Sequence, residues 1–237
     1  EQNKMGKNHL TRLAAPKSWQ IKRKGLKFIT KALPGPHSLD TGISFNTMFI
    51  EILNYAKTAR EVKKIFNTNE IKIDGKTRKD PKIPVGIFDS IGFTNINEYY
   101  RVILNKKGKL SLVKINKEEA SLKPSKIIGK TMVKGKLQLN MYDGKNILVE
   151  NGAFKVGDTL LLSLPSQKIN KHLKLDKKST VYLIGGKHIG EIGAVEDIME
   201  NRIIYKDKNG NLVQTSKKYA FVVGENKPLV KLEWTWI

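Results

Sequence analysis

The sequence predicts an α+β protein made of an extended basic N-terminal arm, a small unit of two helices and a sheet, and two small, mostly β, barrel-like units. The first 40 residues show neither a helical nor a strand period. Residues 44–66 place apolar side chains three and four positions apart, as a buried helix face requires. Beyond residue 99, only short strand-like runs alternate with turn residues. The predicted boundaries are 1–42, 43–105, 106–178 and 179–237.

The arm contains three prolines, Pro16, Pro34 and Pro36, which oppose a regular element. Its apolar residues, Leu10 and Trp19 among them, are too many for plain disorder, so the arm is expected to lie against another structure. It cannot form a core of its own, and we expect it to become ordered against RNA. A solvated tail is the alternative.

Two helices are predicted in the second part. Ser44 precedes an apolar stripe that runs from Phe45 to Ala56, and its hydroxyl suits an N-cap. Thr58 and Glu61 have the spacing of a capping box at the start of the second helix. The inner stripe of that helix comprises Ala59, Val62, Ile65 and Phe66.

Strands are predicted wherever short apolar runs lie between turn residues. Ile71 and Ile73 alternate with polar residues before an Asp74–Gly75 turn, and residues 76–82 read as a basic loop. Asn209 and Gly210 predict a second hairpin turn. Later strands are predicted at 100–104, 110–115, 136–141, 147–149, 159–163, 181–184, 191–195, 203–206, 212–215 and 220–223.

The charge of the chain indicates an anionic partner. Its 237 residues include 44 Lys and Arg but 22 Asp and Glu, a formal net charge of +22. The excess covers the first three quarters of the chain, whereas residues 179–237 hold 8 basic and 7 acidic residues. A membrane-surface protein would concentrate its charge on one amphipathic helix, so this distribution favours nucleic acid.

Several classes of function are excluded. The chain has no cysteine, which rules out disulfides, cysteine-ligated metals and thiol catalysis and favours an intracellular location. No apolar run reaches the roughly 18 residues that span a bilayer, so a soluble protein is expected. Its four histidines show no metal-ligand spacing, and the side chains of the adjacent Glu118 and Glu119 diverge. No catalytic residue, metal or cofactor is predicted.

Two sets of basic residues are candidates for RNA contacts. One set lies on the second helix and the following loop, which should line a single groove, and the other lies in the arm, where aromatic residues such as Phe28 allow stacking as well as charge neutralisation. Trp19 could instead be a packing anchor. The first set is Arg60, Lys63, Lys64, Lys76, Arg78, Lys79 and Lys82, and the second is Arg12, Lys17, Trp19, Lys22, Arg23, Lys24 and Lys27.

These residues carry a resemblance to a known family. The arm closely resembles the N-terminal signature of the S-four-e family of small-subunit ribosomal proteins, found in archaea and eukaryotes. Residues 45–75 are similar to the S-four RNA-binding domain, and residues 187–195 resemble a KOW motif, an element of small SH3-like barrels. The arm signature consists of His9, Arg12, Leu13, Ala14, Pro16, Trp19, Ile21 and Arg23, and the KOW residues are Lys187, His188, Gly190 and Gly193.

The resemblance implies a structural, non-enzymatic constituent of the small ribosomal subunit, located in the cytoplasm within the ribosome. Its partners would be small-subunit rRNA and neighbouring ribosomal proteins, without a membrane or a homo-oligomer. Two alternatives stay open. One is a KOW-bearing transcription elongation or RNA-processing factor. The other is an RNA-modification enzyme with an S-four domain, which would need an Arg-Leu-Asp catalytic segment that does not occur in the sequence.

Overall fold

A computed structural model describes residues 9–150 and 152–232. Within these residues the chain forms three α-helices and nineteen β-strands. Most of the strands belong to three five-stranded sheets, and two further strand pairs complete the fold. All of the pairings are antiparallel. The protein is therefore mostly β, built from several small sheets.

The N-terminal segment is folded against the rest of the molecule. Its strands β1 (Leu10–Thr11) and β2 (Phe28–Ile29) pair with each other. Trp19 is 1% exposed, and its indole Nε1 donates hydrogen bonds to the carbonyl oxygens of Leu39 at 3.1 Å and Gly42 at 2.9 Å. The expectation of an extended arm is wrong for the described part of this segment, because burying a tryptophan against the first unit removes a large apolar surface from water.

The two predicted helices are present with their predicted caps. Helix α1 spans Phe45–Glu51 and α2 spans Ala59–Thr68, and the hydroxyls of Ser44 and Thr58 each accept a hydrogen bond from the first turn. Helix α1 is shorter than the apolar stripe suggested, since the backbone turns left-handed at Asn54, where φ is 55°. The aromatic rings of both helices pack into one cluster that includes Phe45, Phe49, Phe66 and Phe93.

The first sheet has the order β5-β4-β7-β8-β9, and β3 pairs separately with β6. Part of the predicted basic loop 76–82 is a strand, because it pairs with the preceding strand across the Asp74–Gly75 turn. The sheet also continues past the predicted boundary at residue 105, since its last strand pairs along the whole of β8. The strands are β3 (Gly42–Ser44), β4 (Ile71–Ile73), β5 (Lys76–Arg78), β6 (Pro84–Gly86), β7 (Ser90–Phe93), β8 (Glu98–Leu104) and β9 (Leu110–Ile115).

The second sheet follows the short helix α3 (Lys117–Ala120) and has the order β12-β11-β10-β13-β14. Its central strand is twelve residues long, and its two halves pair with different partners. The sequence did not predict this strand, which includes Pro124 and Gly129 and lacks a clear period of two. The strands are β10 (Leu122–Val133), β11 (Lys136–Met141), β12 (Asn146–Val149), β13 (Thr159–Ser163) and β14 (Lys168–Leu173).

The third sheet has the order β18-β17-β16-β15-β19, and all of its strands were predicted to within a few residues. The hairpin predicted at Asn209–Gly210 is confirmed, because the strands on either side pair directly. A separate apolar cluster fills the interior of this unit. The strands are β15 (Thr180–Leu183), β16 (Ile192–Ile198), β17 (Arg202–Asp207), β18 (Leu212–Ser216) and β19 (Ala220–Gly224).

Candidate nucleic-acid interface

The outward side of α2 carries three cations. Val62 and Phe66 are buried in the core, so the helix is fixed with its opposite side towards solvent. Arg60, Lys63 and Lys64 lie on that side and are all exposed. The burial of the two apolar residues and the exposure of the three cations follow the predicted helical period.

The hairpin of β4 and β5 carries the second cationic group. Its turn at Asp74–Gly75 leads into β5, which lies at the edge of the first sheet and presents exposed residues throughout. The cations of this group are Lys76, Arg78, Lys79 and Lys82, and all are exposed.

None of the side chains of the seven cations of α2 and the β4–β5 hairpin forms an ion pair or hydrogen bond within residues 9–150 and 152–232, whereas some other basic residues are paired. Lys114, by contrast, lies 2.6 Å from a carboxylate oxygen of Glu98. Exposed cations without protein partners can bind phosphate at little desolvation cost. That the seven line one groove stays a prediction.

The predicted cations of the N-terminal segment divide into two kinds. Lys17, Lys22, Lys24 and Lys27 are exposed and available to a partner. The side chains of Arg12 and Arg23, like the ring of Trp19, are used within the protein. These three residues therefore have partners within the protein, where the sequence predicted contacts with RNA.

Arg23 fixes the bend of the segment. Its guanidinium donates hydrogen bonds to three backbone carbonyl oxygens, those of Arg12 at 2.8 Å, Ala15 at 2.7 Å and Pro16 at 2.7 Å. These acceptors belong to a turn rather than to a regular element, and the planar guanidinium can satisfy several of them at once. The burial of Trp19 favours its role as a packing anchor over stacking on an RNA base.

Arg12 ties the segment to the first helix. Its guanidinium lies 2.7 Å from a carboxylate oxygen of Glu51, and both side chains are largely buried. The same guanidinium donates to the backbone oxygen of Lys22 at 2.9 Å. A charge-assisted pair with this little exposure holds the segment in place rather than offering a cation to solvent.

The predicted KOW glycines lie where two backbones approach closely. A Cβ on Gly190, where φ is 79°, would lie 2.7 Å from the backbone oxygen of Asn105 in the first unit. A Cβ on Gly193 would overlap the ring of Tyr205. Close approach therefore explains both glycines.

The other two KOW residues differ in exposure. Lys187 is exposed, whereas His188 is half-buried and its Nδ1 lies 3.1 Å from a carboxylate oxygen of Glu191. Lys187 is therefore the residue of this motif that can reach an anionic partner, and His188 has an internal partner.

A buried charge cluster, which the sequence analysis did not identify, joins the first two sheets. Lys123 on β10 is 2% exposed, and its Nζ lies 2.6 Å from Asp74, 2.5 Å from Asp89 and 3.2 Å from Asp143, measured to carboxylate oxygens. The Nζ of Lys145 lies 3.0 Å from Asp74 and 3.2 Å from Asp143. Two cations thus balance three carboxylates at the junction.

The cluster shifts the pKa values of its members. Burial raises the pKa of the Asp89 and Asp143 carboxyls, but Lys123 together with their other neighbours, His37 for Asp89 and Lys145 for Asp143, outweighs it, so both pKa values lie below the ordinary value. Burial lowers the pKa of Lys123, and the surrounding carboxylates raise it further than burial lowers it. The Nε2 of His37 lies 2.8 Å from Asp89 and extends the cluster into the N-terminal segment.

Polar contacts also join the last unit to the others. The Tyr182 hydroxyl donates to the backbone oxygen of Leu104 at 2.5 Å and accepts from its N–H at 2.9 Å. Burial lowers the pKa of Lys126 to about 8. Its Nζ lies within hydrogen-bond distance of the backbone oxygens of Lys217, Lys218 and Ala220, at 3.2, 2.9 and 2.5 Å.

Among residues 9–150 and 152–232, no group of three or more His, Asp or Glu side chains could hold a metal ion. Over the same residues, no helix is long and apolar enough to cross a membrane.

Comparison with known proteins gives consistent matches along the chain. Residues 96–169 match the profile of Ribosomal family S4e, and residues 4–40 match that of the RS4NT (NUC023) domain. A Methanocaldococcus jannaschii protein called small ribosomal subunit protein eS4 is 39% identical over 95% of this chain and 98% of its own. A Staphylothermus marinus protein of the same name is 40% identical over 98% of both chains.

The fold is also shared with a solved structure. The crystal structure of the 30S ribosomal protein S4e from Thermoplasma acidophilum matches with a TM-score of 0.65 and 29% identity. The match covers 78% of this chain and 95% of that one. From the identity to its relatives over nearly its whole length, the chain belongs to Ribosomal family S4e, the S-four-e family that its N-terminal residues resemble.

Proposed function

We propose that the protein is a structural constituent of the small ribosomal subunit and binds small-subunit rRNA. Its relatives are named as proteins of that subunit, which supports the assignment of this protein to it. The observation that carries RNA binding is the group of seven exposed cations on α2 and the β4–β5 hairpin, none of them in an ion pair in the described chain. Such residues bind the phosphate backbone and position a protein without reading the base sequence.

The remaining assignments follow from the same proposal. The two helices with the first sheet act as the S-four RNA-binding domain, the second sheet as a central β domain and the third sheet as the KOW domain. The protein works in the cytoplasm, within the ribosome, beside other ribosomal proteins, as a single copy and without catalysis. The nearly neutral charge of the last quarter supports a smaller share of RNA contacts there.

Cosedimentation of a cell extract separates this proposal from the other two classes. A structural constituent is expected almost entirely in the small-subunit and ribosome fractions. An elongation factor would sediment with RNA polymerase, and an RNA-modification enzyme would lie mainly in the light fractions. Either of those profiles would contradict the proposal.

The purified protein is expected to bind small-subunit rRNA with a steep dependence on salt. Each phosphate contact contributes roughly 0.7 to 0.9 to the slope of log K against log salt, so seven contacts would give a slope of about 5 to 6. Titration by filter binding or fluorescence anisotropy at several salt concentrations measures the slope. A slope near one would show that the charge is not distributed over many phosphates.

Removing five of the seven cations together should weaken RNA binding without unfolding the protein. The variant Arg60→Ala, Lys63→Ala, Lys64→Ala, Arg78→Ala and Lys79→Ala should lower the salt slope by roughly 3.5 to 4.5 if each residue contacts one phosphate. Its thermal midpoint should stay close to that of the wild type, because exposed charges contribute little to stability.

A matched control removes two cations from elsewhere. Lys174 and Lys227 are exposed and have no ion pair in the described chain, and they lie near the neutral end of the protein. The double variant Lys174→Ala, Lys227→Ala should change the slope by less per charge removed. An equal change per charge would mean that RNA binding follows net charge alone. A fivefold variant without a cooperative melt would mean that the five residues are structural.

A further inference from the structure

Three of the most exposed large apolar side chains lie in the most exclusively cationic part of the chain. Leu13 is 83% exposed, Leu26 is 77% exposed and Phe28 is 52% exposed. Residues 9–39, which contain all three, include seven Lys and Arg and no Asp or Glu. We refer to Leu13, Leu26 and Phe28 as the arm patch.

The strand pairing places Phe28, one residue of the arm patch, on the side away from the core. Leu10 is opposite Ile29 and Thr11 is opposite Phe28, and an Arg12 N–H bond of 3.0 Å to the Lys27 oxygen continues the pairing. Side chains alternate between the two faces of such a ribbon. Leu10 is buried and Ile29 half-buried, so Phe28 lies on the other face. Leu13 lies in the turn that follows β1 and Leu26 precedes β2, and both side chains are exposed.

The segment that carries the arm patch is held in place by contacts with the rest of the protein. Arg23 binds three carbonyl oxygens in the turn that follows Leu13, and Arg12 is paired with Glu51 of α1. Trp19 is anchored in the core between the two halves of the segment. A surface that is already held in place loses less conformational entropy when it binds a partner.

We propose that the arm patch docks unpaired bases of rRNA, with the surrounding lysines on the adjoining phosphates. The inference rests on the proposed function, because it assigns a part of the RNA contact to a particular surface. An anionic partner suits this segment, because Lys17, Lys22, Lys24 and Lys27 are exposed and residues 9–39 contain no acid. Phosphates bind lysines but gain little from leucine and phenylalanine, whereas the faces of bases stack on apolar and aromatic side chains.

Paired bases do not suit this surface. In an RNA helix the base faces are covered by their neighbours, so an exposed apolar patch can reach them only where bases are unpaired or splayed out. The Nζ of Lys27 lies 5.6 Å from the centre of the Phe28 ring, and the ring of His9 lies 5.3 Å from it. A base stacked on the exposed part of Phe28 would therefore bring its phosphate close to the Lys27 ammonium.

Two RNA probes that differ only in their bases test the proposal on the full-length protein. One is an unstructured strand of about 20 nucleotides, longer than a typical single-strand site, and the other is an abasic strand with the same number of phosphates. The wild type should bind the strand with bases at least about fivefold more tightly. The variant Leu13→Ser, Leu26→Ser, Phe28→Ser should lose that preference while its affinity for the abasic strand and its salt slope stay unchanged.

Two controls separate stacking from folding and from charge. Phe28→Leu keeps an apolar side chain and should lose only part of the preference. Lys22→Ala with Lys24→Ala should weaken binding to both strands by the same factor and lower the salt slope. The thermal midpoint of the triple variant should match that of the wild type, because all three side chains are exposed.

Crosslinking gives an independent measurement. A strand containing 5-bromouridine, irradiated on the wild-type protein and digested, should give crosslinked peptides from residues 13–28. Equal affinity of the wild type for both strands would overturn the proposal and leave the proposed function intact. A triple variant with unchanged preference would also overturn it, as expected if the patch contacts a neighbouring protein. A wild type that binds neither strand at low salt would overturn the proposed function as well.

Discussion

Lys123→Ala is expected to lower the free energy of unfolding by about 3–5 kcal/mol, because it leaves buried carboxylates without their counter-charge. The Lys123 side chain is 2% exposed and contacts Asp74, Asp89 and Asp143. Asp89 should be the most affected of the three, since within the described chain the only other side chain that contacts its carboxylate is that of His37. Urea or guanidinium titration of the purified variant measures the change at neutral pH.

The neighbouring lysine provides the control. Lys145 contacts Asp74 and Asp143 but is 23% exposed, so Lys145→Ala should cost only about 1 kcal/mol. Equal effects of the two substitutions would mean that burial does not decide the strength of these pairs. A Lys123 variant as stable as the wild type would show that the three carboxylates do not depend on this ammonium.

The change in stability as the pH falls towards about pH 4 should differ in sign between the wild type and the Lys123 variant. In the wild type, the pKa values of Asp89 and Asp143 lie below the unfolded value of 3.8, so the unfolded state binds more protons and stability falls below about pH 4. Without Lys123, burial raises the pKa of Asp89, and the folded state takes up the proton first. The difference in stability between wild type and variant should therefore shrink as the pH falls from neutral to about pH 4.

Local signals predicted the parts of the fold that depend on nearby residues. The cap of helix α2 at Thr58 and its buried positions at Val62 and Phe66 could be predicted, because each depends only on residues a few positions away. The strand β10 was not predicted, since Pro124 and Gly129 interrupt its pattern and its first half pairs with β13, which begins more than 25 residues after β10 ends. Only the tertiary pairing makes that segment a strand.

The same limit applies to the candidate site. The exposure of Arg60 and Lys63 was predictable, because a helix with one buried side must present its cations on the other. Nothing local distinguishes Arg23, which binds three carbonyl oxygens, from the exposed Lys22 beside it. The cluster around Lys123 unites residues from three separate parts of the chain, and no spacing in the sequence indicates it.

Trp19→Ala is expected to cost about 3–5 kcal/mol of the free energy of unfolding, the usual range for removing a buried tryptophan. The substitution empties a site that is 1% exposed and removes the indole hydrogen bonds to the oxygens of Leu39 and Gly42. Trp19→Phe, which keeps most of the ring but not the donor, should cost less. Leu13→Ala, at an exposed position of the same segment, should have almost no effect.

Proteolysis and RNA binding together decide between the two roles of Trp19. With the indole in the core, trypsin should cut the free wild type slowly between Lys17 and Lys27, and Trp19→Ala should make these bonds the first to be cleaved. The folded fraction of the variant should still bind RNA through α2 and the β4–β5 hairpin. If Trp19→Ala instead keeps wild-type stability and proteolytic protection but loses affinity for RNA, the tryptophan stacks on a base. The burial of its ring would then not represent the state that binds RNA.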